Sequence, residues 1–166
     1  MSFHLDIREW CKKAKGRTDL VVRKVLIDLG TRLVEKSPVG NPDLWDSLYD
    51  TADAGSGAQR TGARRKPPAG YVGGRFRGNW QYGNLGQQSV PMQRLDDIDP
   101  SGAISISRIT KGVLEAEPAN MHYLVNNLPY AQRLENGWSK QAPQGMVALT
   151  VVEFQDIVRA ATGGRE

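Results

Sequence analysis

The chain carries one cysteine, Cys11, among 166 residues. A single thiol closes no internal disulfide and completes no zinc site, which excludes a disulfide scaffold and a zinc module. Cys11 reads as a small helix residue in a reducing cytoplasm. Histidine is nearly as scarce: His4 and His122 are the only two, and neither has a partner at metal-ligand spacing. His122 falls in a run that reads as strand, where a half-buried or interface residue is expected rather than a base. No apolar run reaches spanning length and no charged-then-apolar leader opens the sequence, which predicts a soluble, unsecreted protein with no membrane partner. There are no internal repeats. What the chain does have is 39% hydrophobic residues and four tryptophans, enough for one modest core, and a net charge of +4. Basic character of that size allows acidic partners without proving nucleic-acid binding.

Catalytic constellations are also missing. Ser139-Lys140 has no third member for a hydrolase triad. Gly73-Gly74-Arg75-Phe76-Arg77-Gly78 lacks the Gly-Lys-Ser/Thr ending of a phosphate loop and precedes a strand rather than a helix. Asp96, Asp97 and Asp99 form the densest acidic group. A magnesium site would need a further carboxylate and a phosphate-bearing substrate; a solvated turn with Asp99 capping a following helix is the preferred reading. The chain is therefore expected to be no enzyme, with no catalytic residue, no cofactor and no metal.

Its organisation is one domain, 1–166, of α+β class. Residues 4–36 read as helix, with Gly16 interrupting it and Thr18 or Asp19 capping the longer second piece. Val22, Leu26, Leu29 and Leu33 recur at i, i+4, i+7 and i+11, one stripe of an amphipathic helix. Ser37-Pro38 ends it, because proline disfavours helix at the residue before it. Asn41 to Tyr49 has the cap and first-turn proline of a small extra helix. Phe76 to Asn84 alternates as a strand does, Pro100 to Glu115 reads more weakly as helix, and His122 to Asn126 reads as strand. A C-terminal helix runs from Pro143, with Val147, Val151, Phe154 and Val158 repeating the N-terminal spacing. The two long terminal helices need an apolar surface, and a small antiparallel or mixed sheet of about three to five strands would supply it.

Residues 41–73 read as an extended Gly/Arg-rich loop or arm inserted in this domain. Its central part has little to bury and much backbone freedom to lose. Arg60, Arg64, Arg65, Lys66, Arg75 and Arg77 cluster in and after it, Tyr71, Phe76 and Trp80 are interleaved, and no Asp or Glu occurs from Ala54 to Leu95. Two readings stay open: a solvated flexible loop, or a surface that meets DNA phosphate or an acidic partner, to which arginine presents two parallel donors.

The densest segment is Asn126 to Pro143. Asn126 and Asn127 can start a turn by bonding their own backbone, Pro129 suits a first helical turn, and Tyr130 and Leu134 share a face. Gly137 stops the turn. Trp138 reads more readily as core, folded back on the apolar face, than as a contact residue, and so does Tyr130. Arg133, Glu135 and Lys140 can pair within the chain or link neighbouring chains.

This segment, Asn126-Asn127-Leu128-Pro129-Tyr130-Ala131 followed by Leu134-Glu135-Asn136-Gly137-Trp138 and Ala142-Pro143, resembles the neck and tail-completion proteins of tailed bacteriophages. Their pattern is a strand ending in Asn, then Tyr-Ala, then an acidic residue before Gly, then Ala-Pro opening a C-terminal helix. Ser37-Pro38-Val39-Gly40 after a long first helix, and Gly74-Arg75-Phe76-Arg77-Gly78-Asn79-Trp80 before a first strand, resemble two further pieces of that pattern. In many relatives these are joined directly; here residues 41–73 separate them. The resemblance implies a structural virion protein at the head–tail junction or the top of the tail, assembled in the host cytoplasm. It would form a homo-oligomeric ring, a hexamer or dodecamer, around the DNA channel. Its partners would be neck or adaptor proteins and tail-tube or tail-terminator proteins, with genomic DNA passing through the lumen. Tyr130, Arg133, Glu135, Trp138, Lys140, Arg75 and Arg77 would then be interface candidates, and Arg60, Arg64, Arg65 and Lys66 contacts to DNA or an acidic partner. The alternative is a sequence-nonspecific DNA-binding module built on the basic 60–77 stretch.

Overall fold

The fold is known from a computed structural model that describes residues 3–41, 69–84, 93–117 and 121–163. The small extra helix expected after Asn41 and the basic residues Arg60, Arg64, Arg65 and Lys66 lie outside the described residues.

One rod organises everything else. Helix α1, Phe3–Lys36, is 34 residues long, about 50 Å at 1.5 Å per residue. Gly16 does not interrupt it: the glycine is exposed and the helix runs through, since one exposed glycine costs only about 1 kcal/mol against alanine. Thr18 is accordingly no cap. Its hydroxyl donates to the Ala14 carbonyl at 3.1 Å, inside the helix.

The buried face of α1 is turned from the expected stripe. Val22 is exposed and Leu26 and Leu29 are half-buried, while Val25, Leu33 and Val34 are buried. The offset follows from Gly30. A side chain there would overlap Ile109, so the glycine lets α3, Ala103–Glu115, approach α1 closely and draws the contact line through residue 30. Ile109 and Val113 of α3 are 1% exposed and sit at the centre of the core.

The end of α1 is closed by side chains from distant positions. Ser37 Oγ donates to the Leu33 carbonyl at 2.6 Å and accepts from Trp80 Nε1 at 2.7 Å. Arg77 donates to the carbonyls of Glu35, Ser37 and Pro100. The final carbonyls of a helix have no partner within it and carry its negative end, so a guanidinium there is doubly favoured.

Residues 76–84, expected to be one strand, divide in two. Arg75–Gly78 forms a single helical turn, α2, behind Gly74 at φ 91°, and the strand β1 is Trp80–Asn84. It pairs antiparallel with β2, His122–Asn126, from Trp80↔Asn126 to Asn84↔His122. Among the described residues the sheet has these two strands, fewer than the three to five expected. A two-stranded ribbon is marginal alone. Here all five residues of β1 are buried, and Phe76 and Trp80 meet edge-to-face at 6.1 Å in a core with Leu33, Val34, Ile109 and Met146. The expected α+β class therefore holds, but the cover differs: α3 lies on β1, while α1 packs mainly against α3 and the last helices rather than on the sheet.

After the turn segment 131–138 the chain forms α5, Met146–Val152, and α6, Phe154–Thr162, broken at Glu153. One continuous helix with Val147, Val151, Phe154 and Val158 inward was expected. Instead Met146, Thr150 and Ile157 are buried, whereas Val147, Val151 and Phe154 are exposed. Glu153 keeps helical backbone at the break and is tied to α1 by charge: its Oε2 lies 2.5 Å from Arg32 Nη1 and 2.7 Å from Lys36 Nζ. The hydrogen bonds from Lys36 and Arg32 hold its carboxyl below the usual range. Pinning residue 153 to α1 fixes the phase of both short helices.

Asp99, expected to cap a helix, does so with both oxygens. Oδ1 accepts from Gly102 N at 2.8 Å and Ser101 Oγ at 3.0 Å; Oδ2 accepts from Ser105 N and Oγ, each at 2.9 Å. Burial pushes this carboxyl up, but the bonds from Ser105, Ser101 and Gly102 outweigh it and hold the pKa below its ordinary value. Such a group binds protons more readily when unfolded. Its stabilisation is complete above the ordinary carboxylate range and is lost as pH falls through the depressed folded value. Asp99→Ala is expected to destabilise the protein by about 2–3 kcal/mol, since buried donors lose a charged partner. Asp99→Asn should recover part of this and flatten the acid limb of a stability–pH curve measured by urea unfolding.

Candidate functional site

The segment that follows β2 is built by local rules as far as Arg133 and by a long-range one after it. Asn126 opens it. Its Oδ1 accepts from Leu128 N at 3.4 Å, the expected side-chain turn, and its Nδ2 donates to the Phe76 carbonyl at 2.9 Å. Asn127 reaches the Gln93 carbonyl. Leu128 is buried, and a short helix, α4, Ala131–Arg133, forms behind it. Tyr130 lies in the core layer, 6.0 Å from Phe76, and burial pushes its hydroxyl pKa up. Tyr130 is half-buried and packs against the core, so the expectation that it is core holds in part.

Leu134–Trp138 then forms a wide turn that ends at Gly137, φ 80°. A left-handed residue there suits glycine, and a side chain would collide with the Pro143 carbonyl. The returning loop is fastened by Gln141, which exchanges two hydrogen bonds with the backbone of Val39 at 3.2 and 2.8 Å. Ala142 is buried.

Glu135 closes the construction. Its Oε2 accepts from Met146 N at 3.0 Å and Val147 N at 2.9 Å, and its Oε1 accepts from Ala148 N at 2.9 Å. These are orphan amides of the first turn of α5, where a carboxylate satisfies both the donors and the positive helix end. The carboxylate is thus engaged with backbone rather than with Arg133 or Lys140. Local sequence rules place a cap within three residues of the helix it serves, so a cap eleven positions upstream carried no signal beyond the acidic residue before Gly137.

Trp138 corrects an expectation. It is 78% exposed, not folded into the core. Gly137, at positive φ, redirects the chain just before the indole, while the nearby Leu128, Ala142 and Met146 are the segment's buried apolar residues. Arg133 and Lys140 are exposed on the same turn segment. The segment is therefore a braced projection that carries an indole and two cations.

The two other interface candidates are tied inside the chain. Arg75 Nη2 donates to Asp96 at 2.9 Å on the surface, and Arg77 closes the end of α1. The acidic trio is likewise distributed: Asp96 meets Arg75, Asp97 lies 3.0 Å from Arg108 Nη2 as a charge contact without aligned hydrogen-bond geometry, and Asp99 caps α3. Among the described residues no group of three His, Cys, Asp or Glu is placed to hold a metal ion, and no helix is long and apolar enough to cross a membrane.

A second feature was not foreseen. A cleft of about 170 Å³ opens between α1, the end of α3 and the sheet, with Val22, Leu26 and Val113 among its apolar walls and Asp19 and Glu117 among its charged ones. At one side Tyr82 and His122 stack with their rings 6.0 Å apart, and Tyr82 Oη lies 2.8 Å from His122 Nδ1. His122 is half-buried, as expected of a strand residue. Arg23, which also lines the cleft, donates to the carbonyls of Val113, Leu114 and Ala116 at the end of α3.

No known protein family, curated protein or solved structure matches this chain.

Trp138→Ala is expected to leave monomer stability within about 0.5 kcal/mol of wild type, as for an exposed side chain outside any network. Glu135→Ala should cost about 1–2 kcal/mol through the uncapped start of α5. Urea unfolding followed by far-ultraviolet circular dichroism measures both; a large loss for Trp138→Ala would mean that the indole is buried.

Proposed function

We propose that this protein is a non-enzymatic assembly subunit, a neck or tail-completion protein that forms a ring at the head–tail junction of a tailed bacteriophage and joins tail to neck. The observation that carries this reading is the braced projection at 131–148. An exposed large aromatic on a freely moving tail would be unremarkable. Here Glu135, Gly137, Gln141 and the α5 amides hold the chain so that Trp138 stands out from it. Aromatic side chains held ready on a fixed scaffold suit docking, because little freedom is lost when they are covered.

The residues that resemble the family pattern have structural employment in keeping with that role. The Asn that ends the strand starts the turn, the acidic residue before Gly caps the last helices, and the Arg of the glycine-arginine turn closes the first helix. A binding projection is thereby coupled to the end of α1 and to the start of α5. Copies of one chain that meet through such a surface close into a ring if the rotation between neighbours closes. Residues 41–73 would supply the arm toward a neighbour, the tail tube or the portal-side adaptor.

For the DNA-binding alternative, Arg75 and Arg77 are less available than their sequence position promised, being engaged with Asp96 and with backbone carbonyls. The assembly reading predicts weak binding of generic duplex by the isolated chain. A nucleic-acid module would instead bind it with an affinity that falls steeply as salt rises. Electron microscopy of the purified protein, alone and with tail tubes, should show closed rings seated on tube ends. A protein that neither forms rings nor joins tubes, yet binds duplex strongly at low salt, would overturn the assembly reading.

A further inference from the structure

The exposed indole and the cleft beside Tyr82 lie by different stretches of α1 and are complementary. We propose that Trp138 of one copy inserts into the cleft between α1, α3 and β2 of the next, a head-to-tail contact between identical chains. This rests on the assembly reading above, for which it names the copy-to-copy surface.

Size permits it. The cleft measures about 170 Å³, and an apolar cavity of roughly 150 Å³ already accommodates a benzene ring. The cleft is open on one side, so the larger indole need not be enclosed. Val22, Leu26 and Val113 give it apolar walls, and tryptophan is among the residues that dominate protein–protein affinity.

Charge agrees in sign. Arg133 and Lys140 flank Trp138 in the projecting segment, both exposed. Asp19 and Glu117 line the cleft. The cation in that lining, Arg23, faces the carbonyls of Val113, Leu114 and Ala116, where the negative end of α3 offsets its charge. The cleft thus offers two carboxylates in its lining to a basic projection, an arrangement that favours encounter and fixes register.

Position makes the contact intermolecular. The projection is fastened through Gln141 to Val39, just past the end of α1, whereas the cleft uses α1 from Thr18 to Leu26. At 1.5 Å per residue these places are roughly 20 Å apart along the helix. Each copy therefore offers one projection and one cleft that it cannot join by itself, and the pairing is heterologous when different neighbours take the two.

Sedimentation velocity tests this by complementation. Trp138→Ala removes the projection and Val22→Trp fills the cleft. Each variant should self-associate about 30-fold more weakly than wild type, the effect of truncating a central interfacial tryptophan. Their equimolar mixture retains one intact projection and one intact cleft, so it should form a 1:1 dimer and nothing larger. Glu117→Lys should weaken association as well, and Lys140→Glu on the other chain should restore it. This charge pair carries the cleft arm if Val22→Trp misfolds, which thermal unfolding of each variant reports. Unchanged association in Trp138→Ala and Glu117→Lys, a mixture that stays monomeric, or a wild type monomeric at every concentration would overturn this contact. The assembly reading would outlive those results as long as the wild type still joins tail tubes, and would fall only if it does not.

Discussion

Three backbone amides at the start of α5 converge on one carboxylate, that of Glu135, and the presentation of the whole C-terminal third depends on that convergence. The residue belongs to the turn, and the amides belong to the helix that the turn must reach. Holding the two together fixes the intervening loop at both ends, with Gly137 redirecting the chain and Trp138 left exposed just beyond it. The interaction is charge-assisted and placed where a helix most favours negative charge. It can therefore hold an exposed aromatic in a defined place without burying apolar area beneath it.

The same logic recurs at the other joints. Arg77 and Ser37 satisfy the carbonyls that α1 leaves open, Asp99 satisfies the amides that α3 leaves open, and Glu153 ties the break between α5 and α6 to two cations of α1. A small two-stranded sheet and helices of uneven length leave many helix ends close to the core, and buried backbone groups must be paired. Polar side chains from far along the chain do this here. They also make the fold specific, because each reaches its partner only when the helices are in the right phase.

Much of this architecture was legible in the sequence where the determinants are local. Ser37-Pro38 marks the end of α1, Asp99 marks the start of α3, and Asn126 and Gly137 mark the two ends of the turn segment, each through chemistry acting within a few residues. The mixed class followed from two helical patterns around short extended runs. The phases of the helical stripes were not legible. On α1 the contact line is displaced by the close approach at Gly30 to Ile109, and on the last helices it lies one residue before the expected stripe throughout, along Met146, Thr150, Glu153 and Ile157; both depend on a partner helix that periodicity cannot see. The strand before Asn84 was read four residues too long because Gly74 at positive φ starts a helical turn first. For the candidate site, the segment itself was identified, but the exposure of Trp138 and the capping by Glu135 were not. Aromatic size argues for burial, but here Leu128, Ala142 and Met146 are the buried apolar residues around the turn and Trp138 is not.

The placement of the projection and the cleft near different stretches of α1 gives the molecule polarity. Under the proposed contact, a copy whose projection and cleft are taken by two different neighbours faces the same way as both of them. Were such subunits to close into a circle, they would make a washer whose two sides differ, as the proposed place between tail and neck would require.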